Sequence, residues 1–436
     1  MHSGEMHINT ISLKQNKLSY WIRTTIGPLL LILLCPPAAM LMWHINIVND
    51  GSLQNFLSQS FSIPHLFGSL LAWKMIAVFA TTQLILMKAI PGKTFRGPVT
   101  PKGNIPIYQS NGVGCFLITV LLFYLCSFRW NLFSPTIIYD NFGDLIGSLN
   151  IFSLLFCLFL YFKGRRAPSS SDCGVSGNPI FDYYWGIELY PNVMGWNLKM
   201  FTNCRFGMMS WAIIILSFAA KQSQLYGLSD SMFVAVALQL LYIFKFFIWE
   251  TGYLRSLDIM HDRAGFYICW GCLVWVPAIY TSPILYLVNH PNHLGLVAYL
   301  IFALGIGSIL INYLADRQRQ TVRATNGNCT VWGKKPTLIT ANYTTQDGEK
   351  RQNILLASGW WGIARHFHYV PEILGALFWT LPALFTNALP YFYVLFLTAL
   401  LIDRTLRDEK RCAQKYGPDW LTYSQKVKYK ILPYIY

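Results

Sequence analysis

Apolar residues occur in long blocks along this chain of 436 residues, and short polar stretches separate the blocks. A helix of about 20 apolar residues is long enough to cross the roughly 30 Å hydrocarbon core of a bilayer. The blocks predict ten membrane-spanning helices, which cover residues 26–46, 68–88, 113–128, 143–162, 206–221, 231–250, 266–288, 294–314, 370–386 and 389–403. The pattern therefore indicates an all-α polytopic membrane protein.

The basic residues are distributed unequally between the two sides that these helices define. If the N-terminus is cytoplasmic, the stretches on the opposite side contain only two Lys or Arg residues, Arg129 and Lys221. Loops rich in Lys and Arg stay on the cytoplasmic side of a membrane. The distribution predicts that both termini and the long polar segment 315–369 face the cytoplasm.

The composition agrees with this class and excludes others. The chain is 54% hydrophobic and only 12% charged, which is outside the range of water-soluble enzymes, disordered chains and coiled coils. The formal charge of +15 is spread between apolar blocks and forms no single patch, so we expect no nucleic-acid partner. The expected location is the endoplasmic reticulum in a eukaryote or the inner membrane in a bacterium, and membrane lipids are the expected surroundings.

Five segments follow from the pattern. They are a cytoplasmic N-terminal segment 1–25, helices 1–8 in 26–314, a polar cytoplasmic segment 315–369, helices 9–10 in 370–403 and a charged tail 404–436. The two polar segments are rich in Lys and Arg, which bind phosphate groups. We expect them to fold together into a cytosol-facing pocket for a phosphorylated cofactor. Turn-forming residues at 344–348 also predict a small hairpin inside the first of them.

The common nucleotide and metal motifs are absent from the sequence. No Gly-x-Gly-x-x-Gly follows a strand, and no P-loop lysine motif occurs. The histidines do not form the clusters that a membrane di-iron enzyme needs. Cys269 and Cys272 form an isolated C-x-x-C inside an apolar block, where cysteines usually act as small hydrophobic residues. A nucleotide therefore has to bind in another way, and we expect no metal site.

Several strings in the chain resemble the membrane sterol reductases. The most distinctive is LLASGWWGIARHFHY at 355–369. The others are PVTP at 98–101, FSPTII at 133–138, GIELYP at 186–191, NCR at 203–205, SFAAKQ at 217–222, LPYFY at 389–393, LRDE at 406–409 and RCA at 411–413. The resemblance is closest to members that reduce the Δ7 double bond of sterols, and it implies ten transmembrane helices with NADPH as the hydride donor.

The resemblance also implies which residues hold NADPH. They are Arg319, Arg323, Leu356, Trp361, His368, Tyr369, Asp408, Cys412, Lys415, Tyr416 and Tyr423. Guanidinium and ammonium groups suit the phosphates, and aromatic faces suit the rings. Arg319 stands where the nearest relatives usually have lysine, and His368 where they have asparagine. Individually, the arginines are also suited to set topology or anchor lipid headgroups, and Trp361 to lie at the membrane interface.

Reduction of a carbon–carbon double bond by hydride transfer needs a proton donor in a dry pocket. Carboxylates beside apolar blocks are candidates because they are costly to bury in a membrane, which singles out Glu250 and Asp408. Tyr253 follows Glu250 by three residues, one helical turn, within reach of a shared hydrogen bond. We expect Tyr253 and Asp408 to form the proton-donating pair, supported by Glu250 or by His261 and Asp262. Alternatively, Glu250 pairs with Lys245 or Arg255 on its own helix.

The sterol is expected to enter sideways from the bilayer, because its rings are as apolar as lipid tails. Candidate linings of its pocket are Trp249, Phe266, Trp270, Trp275 and Tyr280. Reduction of the Δ14 or Δ24(24(1)) bond is an alternative to Δ7. The C-terminal strings are also similar to membrane isoprenylcysteine methyltransferases, and a non-catalytic sterol-binding protein or a transporter are further alternatives. The sequence leaves the oligomeric state open.

Overall fold

A computed structural model describes residues 20–58, 65–345 and 348–435. Residues 1–19 of the expected N-terminal segment lie outside this range, as do Gln346 and Asp347 of the expected turn. Nine helices in the described part are long and apolar enough to cross a membrane. We label them α1 Ile22–Ile47, α2 Leu70–Ala89, α3 Gly112–Arg129, α4 Phe142–Arg166, α5 Leu198–Tyr226, α6 Asp230–Ile248, α7 Phe266–Asn289, α8 Leu296–Ala324 and α10 Leu389–Tyr416. The label α9 is kept for a shorter helix, Tyr369–Thr380, which lies between the last two. The chain is a multi-pass integral membrane protein.

The shorter helix α9, Tyr369–Thr380, occupies the ninth predicted span. Its 12 residues extend about 18 Å, roughly half of the hydrocarbon thickness. A single 3-10 turn, Leu381–Ala383, follows and contains Pro382, and Leu384 then adopts a positive φ of 56°. Ten helices therefore occur at the predicted positions, but one of them ends part-way through the membrane because proline cannot continue it.

Six short strands in the described residues form three antiparallel pairs. They are β1 Lys93–Arg96 with β2 Ile107–Ser110, β3 Asn192–Val193 with β4 Trp196–Asn197, and β5 Leu338–Thr344 with β6 Lys350–Leu356. In the third pair Leu338 lies opposite Leu356 and Thr344 opposite Lys350, so the hairpin predicted around 344–348 is present. A last helix, α11 Pro418–Lys426, packs on β5.

Polar contacts join the loops at each end of the helix bundle. At one end, Asn387 donates to the Gly51 carbonyl at 2.8 Å, and the Asp230 carboxylate accepts from the backbone N–H of Leu294. At the other end, Asn178 donates to the Thr24 carbonyl at 3.1 Å, and Lys88 donates to the Gly195 carbonyl at 2.7 Å. Helices α1 to α8 run between these ends in alternating directions, whereas α8 and α10 both start at the first end and are separated by the short α9.

Four of the described long helices contain π-helical segments, and those in α1 and α3 are the five-residue stretches Ile22–Ile26 and Leu125–Arg129. The segments Phe201–Gly207 of α5 and Phe266–Tyr280 of α7 are wound with the wider π-helical turn. Such segments are rare and are frequent at functional sites, because the wider turn re-aims side chains. Both segments contribute residues to the cavity described next.

Candidate active site

A cavity of about 1120 Å³ lies among α5 to α10 and the β5–β6 hairpin. Its volume slightly exceeds the roughly 300–1,000 Å³ of a site for one drug-sized ligand. Eight Lys or Arg side chains and four Asp or Glu side chains line it, together with many aromatic rings. The polar residues concentrate where α8, α10 and the hairpin meet, and the apolar residues lie between α5, α6, α7 and α10.

The polar part of the cavity is rich in cationic groups, and Arg323 and Lys415 have no carboxylate partner among the described residues. Arg323 donates only a long hydrogen bond of 3.4 Å, to the Ile354 carbonyl, among the described residues. The ammonium group of Lys415 lies 3.9 Å from the ring centre of Tyr343 and 5.2 Å from that of Tyr416. Arg319 reaches Asp316 at 3.4 Å. This donor set suits a ligand that carries several phosphate groups.

The signature string places flat rings beside these cations. The guanidinium group of Arg319 stacks on the Trp361 ring at 3.9 Å, and Trp361 is held in place because its indole N–H donates to the Ala315 carbonyl at 2.7 Å. His368 lies 4.9 Å from the Trp361 ring and 4.2 Å from Tyr369, measured between ring centres. Burial, reinforced by the charge of Arg319, lowers the pKa of His368 well below 6.5. The imidazole is therefore neutral at pH 7, and it resembles asparagine in being an uncharged polar group.

All of the residues that the resemblance assigns to NADPH line this one cavity. They are Arg319, Arg323, Leu356, Trp361, His368, Tyr369, Asp408, Cys412, Lys415, Tyr416 and Tyr423. They come from α8, β6, the signature string, α9, α10 and α11, so the fold brings together positions up to 104 residues apart in the sequence. Tyr423 also closes the site, because its hydroxyl donates to the Leu356 carbonyl at 3.2 Å.

The apolar part of the cavity has the character of a site for a flat hydrophobic molecule. All five residues expected to line a sterol pocket do line it, namely Trp249, Phe266, Trp270, Trp275 and Tyr280. Phe266 and Trp270 stack with ring centres 4.9 Å apart. The cavity also reaches Leu31, a residue of the membrane-spanning helix α1 that is 43% exposed, so this side of the cavity lies next to the surface that would face lipid.

Tyr253 and Asp408 both line the cavity. The Tyr253 hydroxyl oxygen accepts a hydrogen bond of 3.0 Å from Asn203, which belongs to the π-helical segment of α5. Burial, followed by the charge of Asp258, raises the pKa of Tyr253 well above 10. Tyr253 therefore keeps its proton at neutral pH. Asp408 is paired with Arg411 at 2.5 Å.

Glu250 lies outside the lining of the cavity. Its side chain is buried, and its carboxylate is paired with the buried Arg205 at 2.6 Å. Ser110 and the backbone N–H of Gly112 donate to its other oxygen at 3.0 and 2.9 Å. The partner is thus Arg205 rather than Lys245 or Arg255. This network joins α3, α5 and the end of α6, which is a structural position.

The two groups expected to support the proton donors occupy different places. His261 lines the cavity, whereas Asp262 is buried behind it. Asp262 is 2.8 Å from His261 and 3.2 Å from Arg407. Burial by itself would raise the pKa of Asp262, but the hydrogen bond from His261 and the charge of Arg407 together lower it below 3.8.

The sequence reasoning missed several charged groups that line the cavity. Asp258 forms an ion pair with Arg404, which joins the loop before α7 to α10. Asp316 of α8 and Glu372 of α9 are the other two overlooked carboxylates. Each is a charged residue within or next to an apolar block, and the rule that singled out Glu250 and Asp408 applies equally to these positions.

Comparisons with known proteins identify relatives over nearly the whole chain. The family model described as "Ergosterol biosynthesis ERG4/ERG24 family" matches residues 3–436. A protein of Arabidopsis thaliana named 7-dehydrocholesterol reductase is 51% identical over 430 residues, which is 95% of this chain and 98% of that protein. One of Xenopus laevis with the same name is 40% identical over 372 residues, 83% of this chain and 79% of that protein. A protein named Delta(14)-sterol reductase, from Methylotuvimicrobium alcaliphilum, is 35% identical over 418 residues, 94% of both chains.

Proposed function

Because the chain belongs to the ergosterol biosynthesis ERG4/ERG24 family, whose members here are sterol reductases, we propose that it reduces a sterol double bond with NADPH as the hydride donor. The observation that carries the proposal is the single cavity that has a cationic, aromatic part and an apolar part. A cofactor with several phosphates suits the first part, and a sterol from the bilayer suits the second. Because the two parts are continuous, the reacting ends of both ligands can meet inside it.

The Δ7 bond is the proposed site of reduction. The relatives named for 7-dehydrocholesterol are 51% and 40% identical to this chain, against 35% for the bacterial relative named for the Δ14 bond. Reduction of the Δ14 bond is the second candidate, because that relative covers the chain equally well.

The residues present fit NADPH. The excess of Lys and Arg over Asp and Glu in the cavity matches a polyanion, and Arg323 has no carboxylate partner among the described residues. Arg319, Arg323 and Lys415 would hold the phosphates, and the Trp361 and Tyr369 rings would orient the flat groups. When bound, the reduced nicotinamide supplies a hydride to one carbon of the double bond.

The protein itself would supply the proton that the second carbon of the double bond receives. Tyr253 is partly buried and protonated, and Asn203 donates to its oxygen, which leaves the hydroxyl hydrogen free to point into the cavity. A donated hydrogen bond at that oxygen also stabilises the charge that develops as the proton leaves. Asp408, the other member of the proposed pair, is ion-paired with Arg411 and is therefore a carboxylate, so Tyr253 is the member that carries the proton. The overall balance is sterol plus NADPH plus one proton, giving the dihydrosterol and NADP⁺.

The experiment is expression in a membrane without endogenous sterols. NADPH is added with 7-dehydrocholesterol, a Δ14-sterol or a Δ24(24(1))-sterol, and mass spectrometry measures the products. We expect a gain of two hydrogens by 7-dehydrocholesterol alone. Reduction of only the Δ14-sterol would support the second candidate, and sterol binding with no reduction of any substrate would overturn the proposed activity.

A further inference from the structure

Deep in the apolar part of the cavity, five aromatic rings form a closed ring. Their centres are 5.7 Å apart for Trp211 and Tyr242, 5.2 Å for Tyr242 and Trp379, 6.0 Å for Trp379 and Tyr393, 4.7 Å for Tyr393 and Tyr280, and 5.2 Å for Tyr280 and Trp211. We call these five residues together with Glu372 the aromatic cage. All of its members except Trp379 line the cavity.

The carboxylate of Glu372 lies beside these aromatic rings. The Tyr242 hydroxyl donates to one of its oxygens, and no described side chain donates to the other. No Lys, Arg or His among the described residues forms an ion pair with it. A carboxylate at membrane depth is costly and is a functional candidate by default, and the proton-donating pair does not use this one.

The cage also holds hydrogen-bond donors without partners. The hydroxyls of Tyr280 and Tyr393 make no hydrogen bond to any described residue, although Tyr393 is only 2% exposed. The indole N–H of Trp379 is buried and likewise has no partner in the described part of the chain. By contrast, the Trp211 indole N–H is satisfied by Gln239 at 2.7 Å. Because Tyr280 and Tyr393 line the cavity, their two hydroxyls are suited to bind a polar group of a ligand, whereas Trp379 does not line it.

We propose that the aromatic cage binds the hydroxyl group of the sterol, with Glu372 as the acceptor and the Tyr280 and Tyr393 hydroxyls as donors. A hydroxyl has one hydrogen to donate and two lone pairs to accept with, which matches one free carboxylate oxygen and two free hydroxyls. The flat rings around it suit the alicyclic carbons next to that hydroxyl.

The position of Glu372 relative to the proposed reaction site gives the cage a further role. Glu372 follows Tyr369 by three residues in α9, which is about one helical turn or 4.5 Å of rise. Tyr369 is one of the residues proposed to contact NADPH. A hydroxyl held at Glu372 therefore fixes how far the sterol rings reach toward the hydride donor, and the cage helps to select which double bond is reduced.

The inference rests on the proposed function for the identity of the ligand, so the test measures binding without turnover. Equilibrium binding of 7-dehydrocholesterol and of its 3-deoxy analogue is compared in lipid nanodiscs without NADPH. The unchanged protein is expected to prefer the hydroxyl form about 10–100-fold, the range of one hydrogen bond to a charged group. The double variant Glu372→Gln with Tyr242→Phe is expected to reduce this ratio to about threefold or less. Loss of reductase activity in the earlier experiment would not affect this ratio, so the two proposals fail separately.

A control and a second variant keep the result interpretable. Tyr183→Phe removes a partly buried hydroxyl that donates to the Leu154 carbonyl away from the cavity, and it should retain the full ratio. Tyr393→Phe removes a single hydroxyl with no protein partner, so it should fold normally if the double variant does not, and it should lower the ratio. An unchanged ratio in the folded cage variants, or no preference for the hydroxyl in the unchanged protein, would overturn the inference.

The kinetic signature also separates this role from catalysis. A contact that holds the hydroxyl equally in substrate and transition state affects KM, and because Tyr393→Phe leaves the Glu372 acceptor that sets the position of the sterol in place, kcat should stay nearly unchanged. Tyr393→Phe should therefore raise the KM for sterol, whereas loss of the proton donor should lower kcat. A fall in kcat with KM unchanged in Tyr393→Phe would contradict the assignment.

Discussion

Two neighbouring side chains, Glu250 and Tyr253, show how strongly long-range contacts decide a residue's role. They lie in one short helical turn, and their spacing favoured a shared hydrogen bond. In the structure Glu250 is instead paired with Arg205, and the Tyr253 hydroxyl meets Asn203. Both partners belong to α5, which is 45 and 50 residues away in the sequence. The local sequence singled out Glu250 and Tyr253, but it could not predict partners that lie on another helix.

The first prediction concerns the proposed proton donor. Tyr253→Phe should lower kcat by about 10²–10⁴-fold, the usual contribution of a positioned acid, while the protein remains folded. The variant keeps the ring that packs on Phe246 at 4.8 Å, so only the hydroxyl is lost. Turnover by mass spectrometry measures the effect, with Tyr183→Phe as the matched control. Activity within about twofold of the unchanged protein would remove Tyr253 from the mechanism.

The second prediction follows from the raised pKa of Tyr253. A proton donor works only in its protonated form, and burial raises the pKa of this hydroxyl well above 10. Its contribution is therefore complete at low and neutral pH and is lost only as pH rises through that raised value. The kcat profile between pH 6 and 9 should show no falling limb due to this group. A loss of kcat centred near pH 8 that disappears in Tyr253→Phe would contradict this.

The third prediction assigns Glu250 to stability. Glu250→Gln leaves Arg205 buried without its counter-ion and should lower the free energy of unfolding by about 3–5 kcal/mol. The measurement is the thermal unfolding temperature in detergent. Replacing both partners, with Glu250→Leu and Arg205→Met, should recover much of the loss because no buried charge remains. A variant Glu250→Gln with unchanged stability and strongly reduced kcat would instead support a catalytic role.

At the scale of elements, the sequence located the helices well and their ends less well. The apolar blocks predicted the positions of α1 to α8 and α10 because burial in lipid requires long apolar runs. The apolar blocks do not show that α8 continues to Ala324 and α10 to Tyr416, because these extensions are polar. They are helical nonetheless, since Lys, Arg and Glu are good helix formers in water. These extensions carry Arg319, Arg323, Asp408 and Lys415 into the cavity. Helix geometry, rather than a loop, therefore sets the spacing of the cationic groups.

The fourth prediction tests the extension of α8. Arg323→Ala should raise the KM for NADPH about 10–100-fold, since a hydrogen bond to a charged group contributes about 1.5–3 kcal/mol. Arg317→Ala is the matched control, because Arg317 is exposed on the same helix and does not line the cavity. Steady-state kinetics at fixed ionic strength give both values. Equal effects of the two substitutions would indicate a general charge effect rather than a phosphate contact.

At the scale of the whole molecule, the distribution of Lys and Arg predicts which end of the helix bundle faces the cytosol. Two exposed loops, one at each end of α5, allow this orientation to be tested. The turn between β3 and β4 contains Met194, which is 88% exposed and precedes α5. The loop after α5 contains the exposed Tyr226 and Leu228. The cavity and most basic residues lie at the Met194 end. The cavity itself, however, combines residues from α1, from α5 to α11 and from a hairpin, and no sequence pattern encodes such an arrangement except through resemblance to a family.

The fifth prediction uses these two loops. Epitope tags inserted after Met194 or after Gly227 should lie on opposite sides of the membrane because α5 separates them. Antibody access after selective permeabilisation of the plasma membrane should reveal the Met194 tag in the cytosol and the Gly227 tag only after full permeabilisation. Exposure of both tags on the same side would contradict the topology.

Entry of the proposed sterol substrate beside Leu31 of α1 would decide which concentration of sterol sets the rate. A substrate that enters there from the hydrocarbon never passes through water, so its availability depends on its mole fraction among the surrounding lipids and not on its amount per volume of buffer. Adding sterol-free lipid to the membrane should slow turnover at a constant total amount of sterol, whereas diluting the vesicles in buffer should leave the rate per protein unchanged. We therefore expect surface-dilution kinetics, in which membrane composition sets the rate of the proposed reaction.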